Sequence, residues 1–494
     1  MSRSITSNTL INLAGQAIPI AFALFAIPKI ISGLGTDRFG ILTLAWLVIG
    51  YFSLFDLGLG RALTQIISGR RTSESDVKLA VTTWTALALM AVMGLLGGLL
   101  ASSSASYLAV DVFKIPPELQ QEARVTFLIL AAAIPLVVVS AGLVGLLTAY
   151  DRFDLINLVR TPLGISNFAA PLVVLPFSHS LIDITLSLVV LRVMAAVVQA
   201  AMCVRVMPAL ANGFSFNSAD VLALFRFGSW MTVTNIIGPL MIYFDRFLIG
   251  ATLSVTAVAY YATPYEMATK LLILPGAISA TLFPRFAALH QIDPPATLKL
   301  LIRGWESVLV LLLPIILISV VFANEALLIW LGPDFSKNSM AVLQWLSIGI
   351  LFNALAHLPF ALIQGAGRPD LSAKAHFLEL LVYLPLLWWA LQAGGIDGAA
   401  QVWAFRTFLD CLLLSGIASS IVPGFSAYLK KTVPRLVIVV LSLATITLLH
   451  DLTSKLIAAV VTLLIFVFLT ARLQITPAVI AMTRRKSLRG WTNS

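Results

Sequence analysis

Charge is scarce in this chain and cysteine is almost missing. Asp, Glu, Lys and Arg supply 11% of the 494 residues against 59% hydrophobic types, and the mean hydropathy is +0.98. A surface facing water needs far more charge and one facing lipid needs little, so a soluble globular fold is excluded. The two cysteines, Cys203 and Cys411, lie on separate apolar stretches. They offer neither a disulfide framework nor a thiolate metal site and read as small packing residues. Also missing are a glycine-rich phosphate loop, a paired metal-ligand motif and a Ser/His/Asp constellation, so no ATPase, hydrolase or cofactor is expected. Nor is there room for a folded domain outside the membrane. The longest loop expected on the outer side, about residues 105–122, carries only Asp111, Lys114, Glu118 and Glu122 around Pro116-Pro117.

What the chain has instead is apolar stretches of about 20 residues, long enough to cross a hydrocarbon core of about 30 Å. They fall near 9–33, 40–60, 78–104, 123–149, 155–177, 181–206, 222–249, 255–284, 302–323, 340–365, 372–393, 396–422, 433–449 and 453–471. The predicted fold class is an all-α integral membrane protein with about 14 transmembrane helices. The first stretch is long, contains Pro19 and Pro28 and lacks a small-residue cleavage site, so it reads as a span rather than a signal peptide. Basic residues gather at alternate ends of the spans: Arg70-Arg71, Arg152, Arg205, Arg285, Arg368, Lys430-Lys431 and Arg484-Arg485-Lys486 share one side. The positive-inside rule places both termini in the cytoplasm. A basic rim at the membrane also explains the net charge of +10 without nucleic acid as a partner.

A repeat runs through the pattern. Arg152-Phe153-Asp154-Leu155 returns 216 positions later as Arg368-Pro369-Asp370-Leu371. Ile182-Asp183 with Arg192 returns as Ile396-Asp397 with Arg406 at offset 214, and Lys29-Ile30-Ile31 aligns with Arg246-Phe247-Leu248 at offset 217. Three landmarks at nearly one offset imply a duplicated bundle. The expected organisation is two pseudo-symmetric six-helix lobes, 1–210 and 211–425, an additional transmembrane pair, 426–475, and a basic cytoplasmic tail, 476–494. Paired lobes around a cavity are a common transporter design. Pro19, Pro28, Pro239, Pro264 and Pro275 bend the helices expected to line it, either as static curvature or as hinges.

Several strings carry a family likeness. Ile31-Ser32-Gly33-Leu34-Gly35-Thr36-Asp37-Arg38-Phe39-Gly40 is followed by Phe55-Asp56-Leu57-Gly58-Leu59-Gly60. The second half adds Phe225-Arg226-Phe227-Gly228, Phe244-Asp245-Arg246-Phe247-Leu248-Ile249-Gly250 and Leu282-Phe283-Pro284-Arg285. Gln364-Gly365-Ala366-Gly367-Arg368 and Gly394-Gly395-Ile396-Asp397-Gly398-Ala399-Ala400 complete the series. Together, over roughly residues 5–422, they resemble Wzx-type polysaccharide flippases of the multidrug/oligosaccharidyl-lipid/polysaccharide exporter superfamily. Ile41 departs from the tyrosine more usual there. The resemblance implies flipping of undecaprenyl-pyrophosphate-linked oligosaccharide units across a bacterial inner membrane by alternating access, for O-antigen, capsule or exopolysaccharide. It implies membrane lipid, a coupling ion (H+ or Na+), a polysaccharide polymerase and a chain-length regulator as partners. Rival readings are a lipid II flippase, a cation-coupled multidrug antiporter of the same superfamily and, less well supported, a polysaccharide polymerase.

Charges inside apolar stretches cost about 2.5–3.5 kcal/mol on insertion scales and should face protein or water. Cations there suit a pyrophosphate, whose lost hydration they replace. The candidates are Lys29, Arg61, Arg246 and Lys270; Lys29 and Arg246 could instead snorkel to the outer interface, and Asp245 could neutralise Arg246. Asp56, Glu266 and Glu379 are candidates for ion or proton coupling, with Glu306 and His357 as further titratable groups. Glu266 and Lys270 have the spacing of a helical salt bridge. Arg192, Arg406 and Asp410 are secondary candidates expected behind the cavity wall, and the two Arg-x-Asp strings are expected to fix cytoplasmic turns. Tyr243, Tyr260, Tyr261, Tyr265 and Trp230 could stack on sugar rings or pack as an interfacial belt.

Overall fold

The computed structural model describes residues 5–52, 58–71, 74–222, 224, 241, 243–449 and 451–471. Their side chains are described from residue 18, except at 47–52, 435, 452 and 466–471. Among the described residues there is no strand. The helices are α1 (Ile5–Leu34), α2 (Thr36–Phe52), α3 (Leu59–Arg70), α4 (Asp76–Tyr107), α5 (Pro117–Ala149), α6 (Phe153–Val174), α7 (Leu181–Val206) and α8 (helical over 243–252). They continue with α9 (Val255–Thr269), α10 (Ile273–Leu289), α11 (Pro294–Val321), α12 (Ala323–Leu331), α13 (Pro333–Gly365), α14 (Pro369–Ile421), α15 (Phe425–Thr447) and α16 (Leu452–Ala471). Seven helical runs among the described residues are long and apolar enough to cross a membrane. The fold is an all-α membrane architecture.

Glycine and proline decide where these rods stop. α14 holds 53 residues, about 80 Å at 1.5 Å per residue, too long for one crossing. Gly395, at φ 57° and ψ −142°, breaks it where the sequence placed the gap between two spans. The apolar stretch 40–60 is not one uninterrupted rod: Gly58, in the left-handed conformation, precedes α3. The expected outer loop 105–122 is mostly helical, because α4 runs on through a π turn, Leu108–Val112, and α5 starts at Pro117. Proline suits a first helical position, where its missing N–H costs nothing. α12 is a short helix the sequence reading placed in a loop.

The prolines inside spans act unequally. α1 continues through Pro19 and Pro28. Between α9 and α10, however, the α pattern gives way to a 3-10 turn, Lys270–Leu272. Pro275 accounts for it: its ring clashes with the carbonyl four residues back, that of Leu271, and it has no N–H to offer. Pro239 lies outside the described residues.

Two compact units result: Met1–Thr263 with Leu380–Ala399, and Pro264–Glu379 with Ala400–Ser494. In the first, α4 lies along α5 through small residues. A Cβ on Gly94 would sit 2.6 Å from the Pro135 Cα, and one on Gly98 would sit 2.9 Å from the Ala131 carbonyl oxygen. This is the small-xxx-small contact by which apolar helices gain van der Waals energy in lipid. In the second, α13 is the central rod. It packs against α10, α11 and α12, and Gly349 admits the Trp403 ring from α14.

Candidate functional site

Two of the strings that carry the family likeness meet at one end of the first unit. Gly35, at φ 79°, ends α1 and turns the chain into α2, as glycine does after a helix C-terminus. That turn presents Asp37 and Gly40 to the first residues of α9 and Arg38 to α5. Thr256 donates its hydroxyl proton to Asp37. Gly40 has no side chain because none would fit: a Cβ there would fall 1.9 Å from the Val255 carbonyl oxygen. Arg38 pairs with Glu122 at 3.0 Å, and Glu122 also accepts from the Leu181 N–H. The Lys114 N–H donates to the Gly250 carbonyl at 3.0 Å, and Phe113 packs edge-on against Phe247 at 5.3 Å. This end of the unit is closed by direct backbone contact.

One turn inward from that clamp lies Arg246, 3% exposed. Its guanidinium stands over the Tyr243 ring at 5.5 Å. Asp245, equally buried, accepts from the Tyr261 hydroxyl at 2.9 Å and from the Arg246 N–H at 2.7 Å. Arg246 is thus an interior cation and does not snorkel. Lys29 behaves differently: it is exposed, with its ammonium 4.0 Å above the Phe25 ring. Arg61 is exposed on α3, at a place where Gly60 and Gly145 let α3 and α5 touch through backbone and Thr64 bridges both carbonyls. Asp56 and Trp230 lie outside the described residues.

The opposite end of the first unit is held by the segment after α7. Asp220 accepts from Arg70 at 3.1 Å, from Thr82 at 2.9 Å and from Asn217 at 3.3 Å. The Trp84 indole N–H donates to the Leu210 carbonyl, and Phe214 packs against the same ring. No sequence motif announced this latch, since its members are spread from 70 to 220.

In the second unit, Lys270 and Glu266 form the expected ion pair at 2.8 Å, with 40% and 47% of their side chains exposed. The break set by Pro275 places Lys270 at the start of the 3-10 turn, on a helical run that buries only 11% of its most apolar window. Tyr265 is buried against Trp403. A second cluster spans the two halves of α14. Glu379, 4% exposed, lies within electrostatic reach of Asp410 and Arg406. Arg406 stands over the Trp403 ring at 5.9 Å, and His376 Nε2 approaches Asp410 at 3.4 Å while its ring stacks on Phe360. His376 was not among the sequence candidates; its place three residues before Glu379, one turn along the same helix, was the available signal. Arg192, the counterpart of Arg406, instead donates to the neutral Asn167 at 3.1 Å. His357 donates to the Asn353 carbonyl, and Glu306 accepts from Tyr428, so both are held within their own surroundings.

The two Arg-x-Asp turns match bond for bond. Arg152 grips Asp154 through two bonds of 3.0 and 3.1 Å, and Arg368 grips Asp370 through two of 3.2 and 3.4 Å. The grip on Arg152 holds the Asp154 carboxyl below the usual carboxylate range.

The fold is one that solved membrane transporters share. The structure superposes with a TM-score of 0.72 on an inward-facing multidrug resistance MATE family transporter of the MOP superfamily, at 13% identity, covering 84% of this chain and 99% of that one. It superposes equally, at 0.72 and 12% identity, on the lipid II flippase MurJ in its inward closed conformation, covering 94% and 98%. Sequence kinship narrows the class. Residues 34–341 match the model of the polysaccharide biosynthesis protein family, and the chain belongs to that family. It is 32% identical over 416 residues to a Shigella flexneri protein named "Putative O-antigen transporter", covering 83% of this chain and 97% of the relative. It is 23% identical over 368 residues to "Uncharacterized membrane protein EpsK" of Bacillus subtilis (strain 168), covering 72% and 70%. The activities named among these relatives are transport and flipping rather than catalysis.

Proposed function

We propose that this chain flips polyprenyl-pyrophosphate-linked oligosaccharide units, built on undecaprenol, from the cytoplasmic to the outer leaflet of the bacterial inner membrane by alternating access. Kinship to a protein named for O-antigen transport supports the substrate class. The observation that carries the mechanism is Arg246, a cation kept inside an apolar bundle beside the closed end of the first unit. A guanidinium held away from bulk water offers a diphosphate charge-assisted hydrogen bonds in place of lost hydration. The half-exposed Glu266–Lys270 pair supports a water-filled approach, because hydrocarbon would be a poor neighbour for it. On the orientation given by the basic residues, the Asp37–Thr256 clamp faces outward and the Asp220 latch faces the cytoplasm. Opening the clamp while the latch holds, and the reverse, is the alternation proposed. Glu379, Asp410 and His376 supply exchangeable protons for coupling, which favours H+ as the ion. The polymerase and chain-length regulator are downstream partners on this reading.

In cells lacking their own flippase, the chain should restore surface polysaccharide. Joint replacement of Lys29, Arg246 and Lys270 by Gln should abolish the rescue at unchanged protein level; full export by that variant sinks the cationic path. Gly40→Leu should prevent the clamp from closing. A Thr256→Cys probe would then react readily with an impermeant thiol reagent, against a background kept low by burial of Cys203 and Cys411. An unreactive probe in the Gly40→Leu chain would contradict the outward gate.

A further inference from the structure

The second unit contains a cavity that the transport reading does not use. About 860 Å3 in volume, it lies between α11, α13, the second half of α14 and α15, with Trp345, Phe352, Phe408, Leu412 and Val437 among its walls. Its lining is almost wholly apolar, and Lys430 is the one charged side chain among the described residues that line it. Phe405, Leu412, Val437 and Leu441 are each exposed at its rim, so it opens sideways, where a membrane would lie. On α15 the lining runs from Ser426 to Leu441, a rise of roughly 22 Å at 1.5 Å per residue. Lys430 lies near the start of that helix and Lys431, exposed, follows it. The cavity is therefore a greasy slot of lipid length with a cation at one end.

We infer that this slot binds one anionic diacyl phospholipid, its chains between α14 and α15 and its phosphate on Lys430. Volume sets the size of the occupant. At roughly 30 Å3 per group, a water molecule's share, 860 Å3 holds about 29 methylene-sized groups, on the scale of two acyl chains. Charge sets the headgroup. Among the described residues no carboxylate lines the slot, and the nearby Glu306 is engaged by Tyr428. Basic pockets between transmembrane helices at the cytoplasmic side attract anionic lipids. The lipid fills the gap between the second unit's bundle and α15 and is not the transported species.

Delipidated full-length chain in detergent would be titrated with phosphatidylglycerol or phosphatidylcholine and bound lipid counted by native mass spectrometry. Phosphatidylglycerol should be retained about fivefold over phosphatidylcholine, the preference one lysine at a charged lipid surface confers. Lys430→Gln should reduce that preference to parity. Gly416→Leu should lower retention of both lipids, since its Cβ would enter open space and leucine favours the helix it sits on. Equal retention by the native chain, an unchanged preference in Lys430→Gln, or undiminished binding in Gly416→Leu overturns the inference. So does complete displacement of phosphatidylglycerol by an equimolar polyprenyl phosphate, which would make the slot a site for the substrate's tail. The outcome is independent of flipping: a chain that fails to restore export still passes or fails this test.

Discussion

The turn 146–155 and the turn 362–371 are nearly the same object. In each, a residue in the left-handed region, Asp151 at φ 57° or Gly367 at φ 72°, precedes the arginine. The arginine N–H reaches back to a carbonyl five residues earlier, Leu147 or Ile363, and its side chain clasps the aspartate two residues on. Deeper in the same two halves the likeness ends. Arg192 meets an amide, whereas Arg406 lies among two carboxyls and a histidine. The difference teaches which part of a recurring sequence pattern is constrained and which is free. Turns keep their geometry because a chain reversal has few backbone solutions, while an interior charge can acquire a new partner by substitution at one facing position. On the proposed function, the second half has turned its interior charges towards coupling.

The sharpest test of that contrast is to remove each interior arginine. Arg406→Gln removes the cation that lies within electrostatic reach of Glu379 and should lower the thermal midpoint in detergent more than the matching change at Arg192. Arg192→Gln breaks a single charged hydrogen bond and should cost about 1.5–3 kcal/mol. Equal losses would erase the distinction between the halves. Exchanging the turn residues comes next in size. Gly367→Asp places a side chain in the left-handed region and should destabilise by about 1 kcal/mol, while Asp151→Gly should regain up to about the same amount. If Asp151→Gly destabilises instead, its contact with Arg71 at 3.8 Å outweighs the strain.

The smallest effects concern the clasp itself. Asp154→Asn should cost less than about 1 kcal/mol, since the pair is partly exposed, and Asp370→Asn should leave the melting midpoint nearly unchanged. The Asp154 carboxyl is held below its ordinary range in the folded chain. Its contribution to stability is therefore complete above the usual carboxylate range and fades as pH falls through the lowered folded value. Asp154→Asn should flatten that acid limb in a pH series of melting curves; an unchanged limb would show that other carboxylates govern it.

Much of this was readable in advance. Low charge and long apolar stretches announced a membrane helix bundle, and the recurring Arg-x-Asp string marked two turns that share one geometry. The spacing of Glu266 and Lys270 gave their ion pair, since neighbours on a helix are fixed by its pitch. Arg246 was recognisable as a candidate, but its burial was not, because snorkelling and burial read alike in one dimension. His376 escaped notice for a related reason: a histidine on an apolar helix looks like packing until Asp410 stands opposite it.

Composition and periodicity alone determined the solvent this protein faces and its all-helical class, because those follow from transfer free energy and backbone geometry along the chain. Which charges meet was decided only in three dimensions. Asp37 finds Thr256 across 219 residues, Asp220 finds Arg70 across 150, and Glu379 finds Asp410 around the break at Gly395. Sequence separation carries no information about such pairs; helix packing, through contacts as close as Gly40 on Val255, sets them.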